Sequence, residues 1–143
     1  MAGCAALLAS ECAFSQSLPA VVQVVPSCRF EASSAVLDFG SIDATRTAPA
    51  TAAVQLGYRC IRGVMPVVNL GNGMNRDSSS GLRQLASGTN RIPYSLAVTG
   101  APAPGAGLKA TLSLTLTGSI SVPAMQAASA GSYTDTVVLN ISP

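Results

Sequence analysis

The sequence contains neither histidine nor tryptophan, and only 10% of its 143 residues are charged. Without histidine, the commonest general base and metal ligand is missing, which excludes Ser-His-Asp, Cys-His and histidine-ligated zinc sites. Single aspartates stand near predicted turns or strand ends, where aspartate is a frequent turn residue, and none of them forms a carboxylate pair: Asp38, Asp43, Asp77 and Asp135. The composition favours a non-enzymatic protein and indicates no catalytic, cofactor-binding or metal-ligating residue.

Charge and hydropathy exclude further classes of protein. Apolar residues make up 48% of the chain, which excludes a disordered protein. Eight Lys and Arg against six Asp and Glu are scattered without a basic run, which argues against a nucleic-acid partner. The "GNG" at residues 71–73 lacks the third glycine and the Lys-Ser/Thr pair of a phosphate loop, and it predicts a turn.

The first fifteen residues have the pattern of a secretion signal. A small apolar run at residues 5–9 precedes Ala13-Phe14-Ser15, which fits a small-x-small cleavage site. No basic residue precedes Arg29, which predicts either a start further upstream or an atypical signal. The run is too short to span a membrane, and a lipoprotein anchor is the less favoured alternative.

Two cysteines, Cys28 and Cys60, remain if the signal leaves with Cys4 and Cys12. An isolated pair in an exported domain most often forms a disulfide. Such a bridge contributes about 3–4 kcal/mol on the chain-entropy estimate. Two free buried thiols are the alternative if the chain is not exported. No CxxC motif is present, which argues against a redox or zinc site.

Short apolar stretches separated by Gly and Pro predict an all-β sandwich or barrel, and almost nothing looks helical. One face of the stretch 51–61 carries apolar side chains at alternate positions, and so does one face of 108–122. We expect strands over residues 27–32, 35–40, 51–61, 64–70, 82–85, 91–99, 108–122 and 137–141. Residues 71–81 and 100–107 predict exposed loops.

Both ends of the chain carry an unusual strand. Residues 20–25 are valine-rich and lie between Pro19 and Pro26. They form either an ordinary first strand that folds back on its own domain or a detachable strand that pairs with another molecule. At the other end, an immunoglobulin-like sandwich needs one further strand after residues 137–141. We therefore expect an open groove beside the last strand, filled by the front strand of another copy.

Five features along the chain carry a resemblance to a known family. They are Cys28, "LDFG" at 37–40, Cys60 at the end of a strand, "IPYSL" at 92–96 and "AGSYTDTVVLNI" at 130–141. Together they resemble the spore coat protein U domain family, which includes the pilins of archaic chaperone–usher fimbriae. The resemblance covers residues 27–143, and "AGSYTDTV" is its most specific part.

The resemblance implies an incomplete immunoglobulin-like β-sandwich that lacks its last strand and is completed by donor-strand complementation. It implies a disulfide between Cys28 and Cys60, a periplasmic chaperone that lends a strand, and an outer-membrane usher that exchanges it for the strand of the next subunit. The expected organisation is a signal over 1–15, a donor segment over 16–26 and a pilin domain over 27–143.

We expect particular residues to form the donor strand and the acceptor groove. Since proline cannot pair in a ladder, the donor strand begins after Pro19, with Ala20, Val22 and Val24 facing inward; the alternate set of Val21, Gln23 and Val25 would bury a glutamine. Val137, Leu139 and Ile141 present one wall of the acceptor groove. Tyr133 either hydrogen-bonds to local backbone, as in a tyrosine corner, or packs in the core.

The predicted function is therefore a structural subunit of a surface pilus that supports adhesion and biofilm formation, with neighbouring subunits, chaperone and usher as partners. We expect export through the periplasm to the cell surface, and a shaft or adaptor subunit, because the chain has no room for a receptor-binding domain. No cofactor, metal or small-molecule substrate is expected.

Three other functions compete. A secreted monomeric coat or surface protein would pair its front strand within its own chain and be stable without a chaperone. A ligand-binding module built on the two loops has no aromatic or charged cluster behind it. A hydrolytic enzyme has no nucleophile–base pair.

Overall fold

The computed structural model describes residues 15–143, so the predicted signal lies, except for Ser15, outside the described residues, as do Cys4 and Cys12. Seven strands and one short helix are present in that part of the chain. In chain order they are β1 (Cys28–Phe30), β2 (Ala50–Cys60), β3 (Val67–Leu70), β4 (Arg83–Ser87), β5 (Asn90–Thr99), β6 (Leu112–Ile120), α1 (Val122–Gln126) and β7 (Leu139–Ser142).

The strands form two antiparallel sheets. The larger sheet has the order β1-β2-β6-β5-β4, and β3 pairs with β7 in the smaller one. The predicted apolar phases are confirmed in β2 and β6, where inward positions are buried or half-buried and alternate with more exposed ones. Since successive side chains of a strand point to opposite faces, one face of the large sheet becomes the floor of the core.

The core has two parts that define the two ends of the molecule. One cluster lies around Tyr58 and Cys60, and we call this the disulfide end. The other lies around Ala50 and Ile120, and we call it the far end. Because β2 and β6 pair from Tyr58↔Leu112 to Ala50↔Ile120, they connect the two ends.

A disulfide joins Cys28 to Cys60, as the sequence predicted. The two cysteines are directly opposite each other in the β1–β2 ladder. The Ile61 N–H donates to the Ser27 carbonyl at 3.0 Å, so the chain is fixed to the sheet from Ser27 onward.

The strand predicted over residues 108–122 is shorter than expected, because a helix follows it. The Ser121 hydroxyl accepts a hydrogen bond from the Ala124 N–H and caps α1, and proline stands in the first turn. Proline is well tolerated there because the first N–H groups of a helix have no intrahelical partner. The helix packs Met125 into the far-end cluster.

The loop at residues 100–107 is irregular, but the prediction that it is exposed was wrong for its centre. Gly105 is buried, and its N–H donates to the Val64 carbonyl at 2.7 Å. The Tyr58 hydroxyl donates to the Ala103 carbonyl at 2.9 Å. The loop therefore closes the disulfide end. No helix within residues 15–143 is long and apolar enough to cross a membrane.

Candidate functional site

A groove of about 1850 Å³ opens on one side of the sandwich. One side is formed by residues 31–44, which we call the front wall, and the other by residues 128–139, which we call the rear wall. The floor comes from apolar side chains of the large sheet: Val54, Leu56, Ile92, Leu96, Leu116 and Ile120. Of these, Val54, Leu56 and Leu96 are half-buried, so the groove leaves part of the inward face of the sheet uncovered where a sandwich would place another strand.

The front wall corrects the prediction of a strand over residues 35–40, since the structure has no strand there. Leu37 and Phe39 are nevertheless half-buried, while Val36 before them is 79% exposed and Asp38 between them is exposed, so the chain keeps the alternation of a strand. Within the described residues, no backbone–backbone hydrogen bond is formed by residues 32–39. A ladder needs a partner, and the groove occupies the partner's place.

The front wall is fixed mainly through its side chains. Gly118 lies beneath it on the inward face of β6, and a Cβ placed there would lie 2.7 Å from Leu37 Cδ2 and from Phe39 Cζ. A glycine in an apolar phase of a strand often marks such a close approach. This signal could have located the front wall from the sequence, but the sequence analysis did not use it.

The rear wall has one bonded edge and one open edge. The Val138 carbonyl accepts from the Gly71 N–H at 2.8 Å, and the Thr136 carbonyl accepts from the Met74 N–H at 3.1 Å. Backbone groups alternate in direction along an extended chain, and those of Val137, between these two carbonyls, form no backbone–backbone hydrogen bond within residues 15–143. The predicted strand over 137–141 thus begins later, at Leu139, where β3 supplies a partner.

Two of the three predicted acceptor residues, Val137 and Leu139, lie on this wall, and the third, Ile141, lies beyond it. Val137, Leu139 and Ile141 are half-buried, and Val138 between the first two is 63% exposed. Val137 and Leu139 line the groove, whereas Ile141 packs against the disulfide-end cluster beyond it.

A single carboxylate holds the rear wall in place. Asp135 accepts hydrogen bonds from Met74 N–H at 3.0 Å, from Asn75 N–H at 3.2 Å, from Asn75 Nδ2 at 3.1 Å and from the Tyr94 hydroxyl at 2.7 Å. Burial, and then this bond to Asp135, raise the pKa of Tyr94 far above its usual value, so its hydroxyl stays a donor. The sequence analysis singled out the segments of both residues but did not predict this contact.

Two further bonds fix the start of the rear wall. The Tyr133 hydroxyl donates to the Ser129 carbonyl at 2.6 Å, and its ring packs against the far-end cluster, so both alternatives weighed for this residue occur together. Thr134 and Ala86 exchange backbone hydrogen bonds of 2.9 and 3.0 Å, which ties the wall to β4. The rear wall is therefore positioned without any strand in the groove.

The N-terminal segment, residues 15–27, lies outside this site. It has no regular secondary structure, and every one of its residues is exposed, with Val22 at 87% and Val24 at 66%. The predicted donor residues Ala20, Val22 and Val24 are thus not brought to Val137, Leu139 and Ile141 of the same chain. One molecule therefore carries both a strand-forming apolar segment and an apolar groove, and the segment does not line the groove of its own chain.

Nothing in the described residues indicates a metal site. No group of three His, Cys, Asp or Glu side chains in residues 15–143 is placed to hold an ion. The groove floor is apolar, which suits a peptide segment with small aliphatic side chains.

Comparisons with known proteins agree with this geometry. The fold is similar to a chain in the crystal structure of the CsuC–CsuE chaperone–tip adhesion subunit pre-assembly complex from the archaic chaperone–usher Csu pili of Acinetobacter baumannii, with a TM-score of 0.52 and 21% sequence identity. The match covers 82% of the present chain and 40% of that chain. It supports the predicted fold class, an immunoglobulin-like sandwich that lacks a strand.

A search of curated proteins found no match to the sequence. The family model described as Spore Coat Protein U domain matches residues 14–140, which is most of the chain. The chain therefore belongs to the Spore Coat Protein U domain family, as the resemblance in its sequence predicted.

Proposed function

We propose that this protein is a structural subunit of a surface pilus, assembled by the chaperone–usher route through donor-strand exchange. The observation that carries the proposal is the combination of an open apolar groove and an exposed, unpaired apolar segment in one chain. The segment of one molecule can fill the groove of the next, and repetition of this contact builds a head-to-tail polymer. The work of the protein is then assembly, with no catalytic step.

The donated strand has a defined place in this proposal. Residues 20–25 would lie between the two walls and pair with the open backbone edge at Val137. Six extended residues span roughly 20 Å. Ala20, Val22 and Val24 would face the groove floor, while Gln23 would face solvent. Strand addition of this kind gains affinity from main-chain hydrogen bonds and specificity from alternate side chains.

The competing interpretation is a secreted monomeric coat protein whose front strand pairs within its own chain. The exposure of residues 15–27 favours donation between molecules over that alternative. Proline at position 26, next to the first fixed residue Ser27, also separates the donor segment from the body. We therefore keep the organisation predicted from the sequence: signal 1–15, donor segment 16–26 and pilin domain 27–143.

The proposed partners follow from the exposed groove. A bare apolar groove with an open strand edge is an aggregation hazard, so the subunit needs a periplasmic chaperone that fills the groove until an outer-membrane usher brings the next subunit. The similar structure described above is a complex of a chaperone with a pilus subunit. Localisation in the periplasm and then at the cell surface is part of the proposal, as are adhesion and biofilm formation through the fibre.

The experiment that tests this function is an unheated, non-reducing gel of the exported protein. A ladder that resists detergent, collapses on heating and disappears when residues 16–25 are deleted supports donation between molecules. A single monomer band in both forms would overturn it.

Two matched substitutions make the test sharper. Val22→Asp would bury a charge in the groove, whereas Val21→Asp would place the same charge toward solvent. We expect Val22→Asp to remove the ladder and Val21→Asp to leave it. The opposite result would keep the pilus function but assign Val21, Gln23 and Val25 to the groove.

A further inference from the structure

The disulfide end of the molecule is strongly basic. Arg29 and Arg59 face each other across the β1–β2 ladder. Arg62 lies directly after β2, and Lys109 lies in the turn before β6. Arg59 Nη1 donates to the Leu108 carbonyl at 3.0 Å, which places that turn beside β2. Arg29, Arg62 and Lys109 are exposed.

One acidic side chain lies among these four basic ones. Glu31 accepts hydrogen bonds from Arg59 Nε at 2.6 Å and from the Thr111 hydroxyl at 2.7 Å. The Thr111 hydroxyl, and then Arg59, lower the pKa of Glu31, so it stays ionised and cancels one positive charge. A side-chain charge of +3 is left at this end.

The rest of the described chain carries no net side-chain charge. Its four remaining basic residues are balanced by four aspartates: Arg46, Arg76, Arg83 and Arg91 against Asp38, Asp43, Asp77 and Asp135. Asp38 and Asp43 belong to the part of the chain that reaches the far end, where Phe39 and Ile42 join the Ala50 cluster. Arg46 follows in the same stretch, so residues 38–46 carry a net side-chain charge of −1, in contrast to the basic disulfide end.

The connection between the donor segment and the rest of its chain is short, so it brings the folded parts of two consecutive copies into contact. Only Pro26 and Ser27 separate Val25 from the disulfide-bonded Cys28, and the three steps from Val25 to Cys28 span at most about 11 Å. When residues 20–25 lie in the groove of another copy, the disulfide end of the donating copy must therefore meet one mouth of that groove.

Charge distinguishes the two mouths. A donor segment that ends at the disulfide end of the acceptor would bring two basic ends together. A segment that ends at the far end would set the basic end beside Asp38 and Asp43, in a stretch of opposite net charge. Facing potentials of opposite sign accelerate association, and like charges oppose it.

We propose that the disulfide end of each copy docks on the far end of the next copy, beside Asp38 and Asp43, and that attraction across this contact speeds insertion of the donor segment. This inference rests on the proposed function. Consecutive copies then share a second contact surface, formed by Arg62 and Lys109 on one copy and by the two aspartates on the other.

The test measures how fast the full mature chain polymerises. Heat-dissociated, renatured protein is followed by light scattering at about 50 mM and about 500 mM salt, because salt screens exposed charges. We expect the wild-type rate to fall as salt rises. Lys109→Glu should slow polymerisation roughly threefold or more at low salt and have little effect at high salt. Adding Asp43→Lys to Lys109→Glu should recover part of the rate.

Arg76→Glu is the matched control, since it changes the net charge equally at an exposed residue of the 71–81 loop, which is not part of the basic disulfide end. If Lys109→Glu polymerises as fast as Arg76→Glu, or if the wild-type rate does not fall with salt, the contact is overturned while the donor-strand function stands. If wild type and every variant remain monomeric at both salt concentrations, the proposed function fails and the contact fails with it.

Discussion

At the scale of single residues, glycine decides where the front wall can lie. Gly118 sits in β6 between the buried Leu116 and Ile120, at a position where the alternation of the strand calls for an apolar side chain. The absence of a Cβ leaves room for Leu37 and Phe39 to cross the sheet. The shape of the groove thus depends on one missing side chain.

Gly118→Val should displace the front wall. Overpacking of a close contact typically destabilises a protein by about 1–3 kcal/mol, and urea unfolding of the full chain measures this loss. Ser113→Val, at an exposed position of the same strand, should change the free energy of unfolding by less than about 0.5 kcal/mol. Equal losses for the two variants would contradict the role given to Gly118.

A second prediction at this scale concerns the turn at Asp77. The Ser80 hydroxyl, and then Ser79, donate hydrogen bonds to its carboxylate and lower the pKa of Asp77 to about 2. Since the pKa is lowered by folding, this stabilisation is present above pH 3.8, the usual value, and is lost as the pH falls toward 2. An NMR titration of the Asp77 carboxyl carbon should give a midpoint near 2.

Ser80→Ala removes the largest cause of that shift. The midpoint of Asp77 should then rise toward 3.8. A wild-type midpoint already at the usual value would show that these hydrogen bonds do not form in solution.

At the scale of elements, the sequence predicts strands best where both neighbours are present. The bounds of β2 and β5 are each within one residue of the prediction, because their apolar alternation and their partners agree. Residues 35–40 alternate just as well but have no partner, so the pattern alone predicts a strand that does not form. Periodicity records which face is buried, whereas a ladder also needs a neighbour.

The features of the candidate site were likewise predictable from the sequence only in part. The alternation of Val137 and Leu139 predicts only that their side chains share one face of the chain. The contact of Asp135 with Asn75 and Tyr94 joins positions about 40 and 60 residues apart in the chain, and no local pattern encodes which distant donors a carboxylate will meet. Helix α1 was missed because five residues are too few to show a helical period.

Asp135 should control the order of the rear wall. Asp135→Asn leaves one acceptor oxygen for donors from Met74, Asn75 and Tyr94 and removes the charge, and loss of hydrogen bonds to a charged group destabilises by about 1.5–3 kcal/mol. Amide hydrogen exchange should accelerate over residues 133–139 in particular. Asp38→Asn is the control, because that carboxylate accepts only from the nearby Gly40 N–H in the described structure. Similar exchange in the two variants would argue against the anchoring role.

At the scale of the whole molecule, the folded state is complete except where the groove opens. The large sheet, the disulfide and the docked loop secure the body without any donated strand, and the rear wall is held from one side by the 71–75 loop. The half-buried side chains of the floor, Val54, Leu56 and Leu96, become fully buried only when a segment covers them. If the proposed donation takes place, stability and assembly are coupled, since each copy then becomes more stable when another fills its groove.

This coupling predicts that a synthetic peptide of residues 16–27 stabilises the monomeric full chain. A ligand that binds only the folded state adds about 2.7 kcal/mol at a concentration 100 times its Kd, so the melting temperature should rise with peptide concentration until the groove is saturated. The same peptide with Val22→Asp should give no rise, because its charge would have to enter the apolar floor, whereas the Val21→Asp peptide should act like the wild type. Equal effects of all three peptides, or none from the wild-type peptide, would mean that the groove is not the acceptor of this segment.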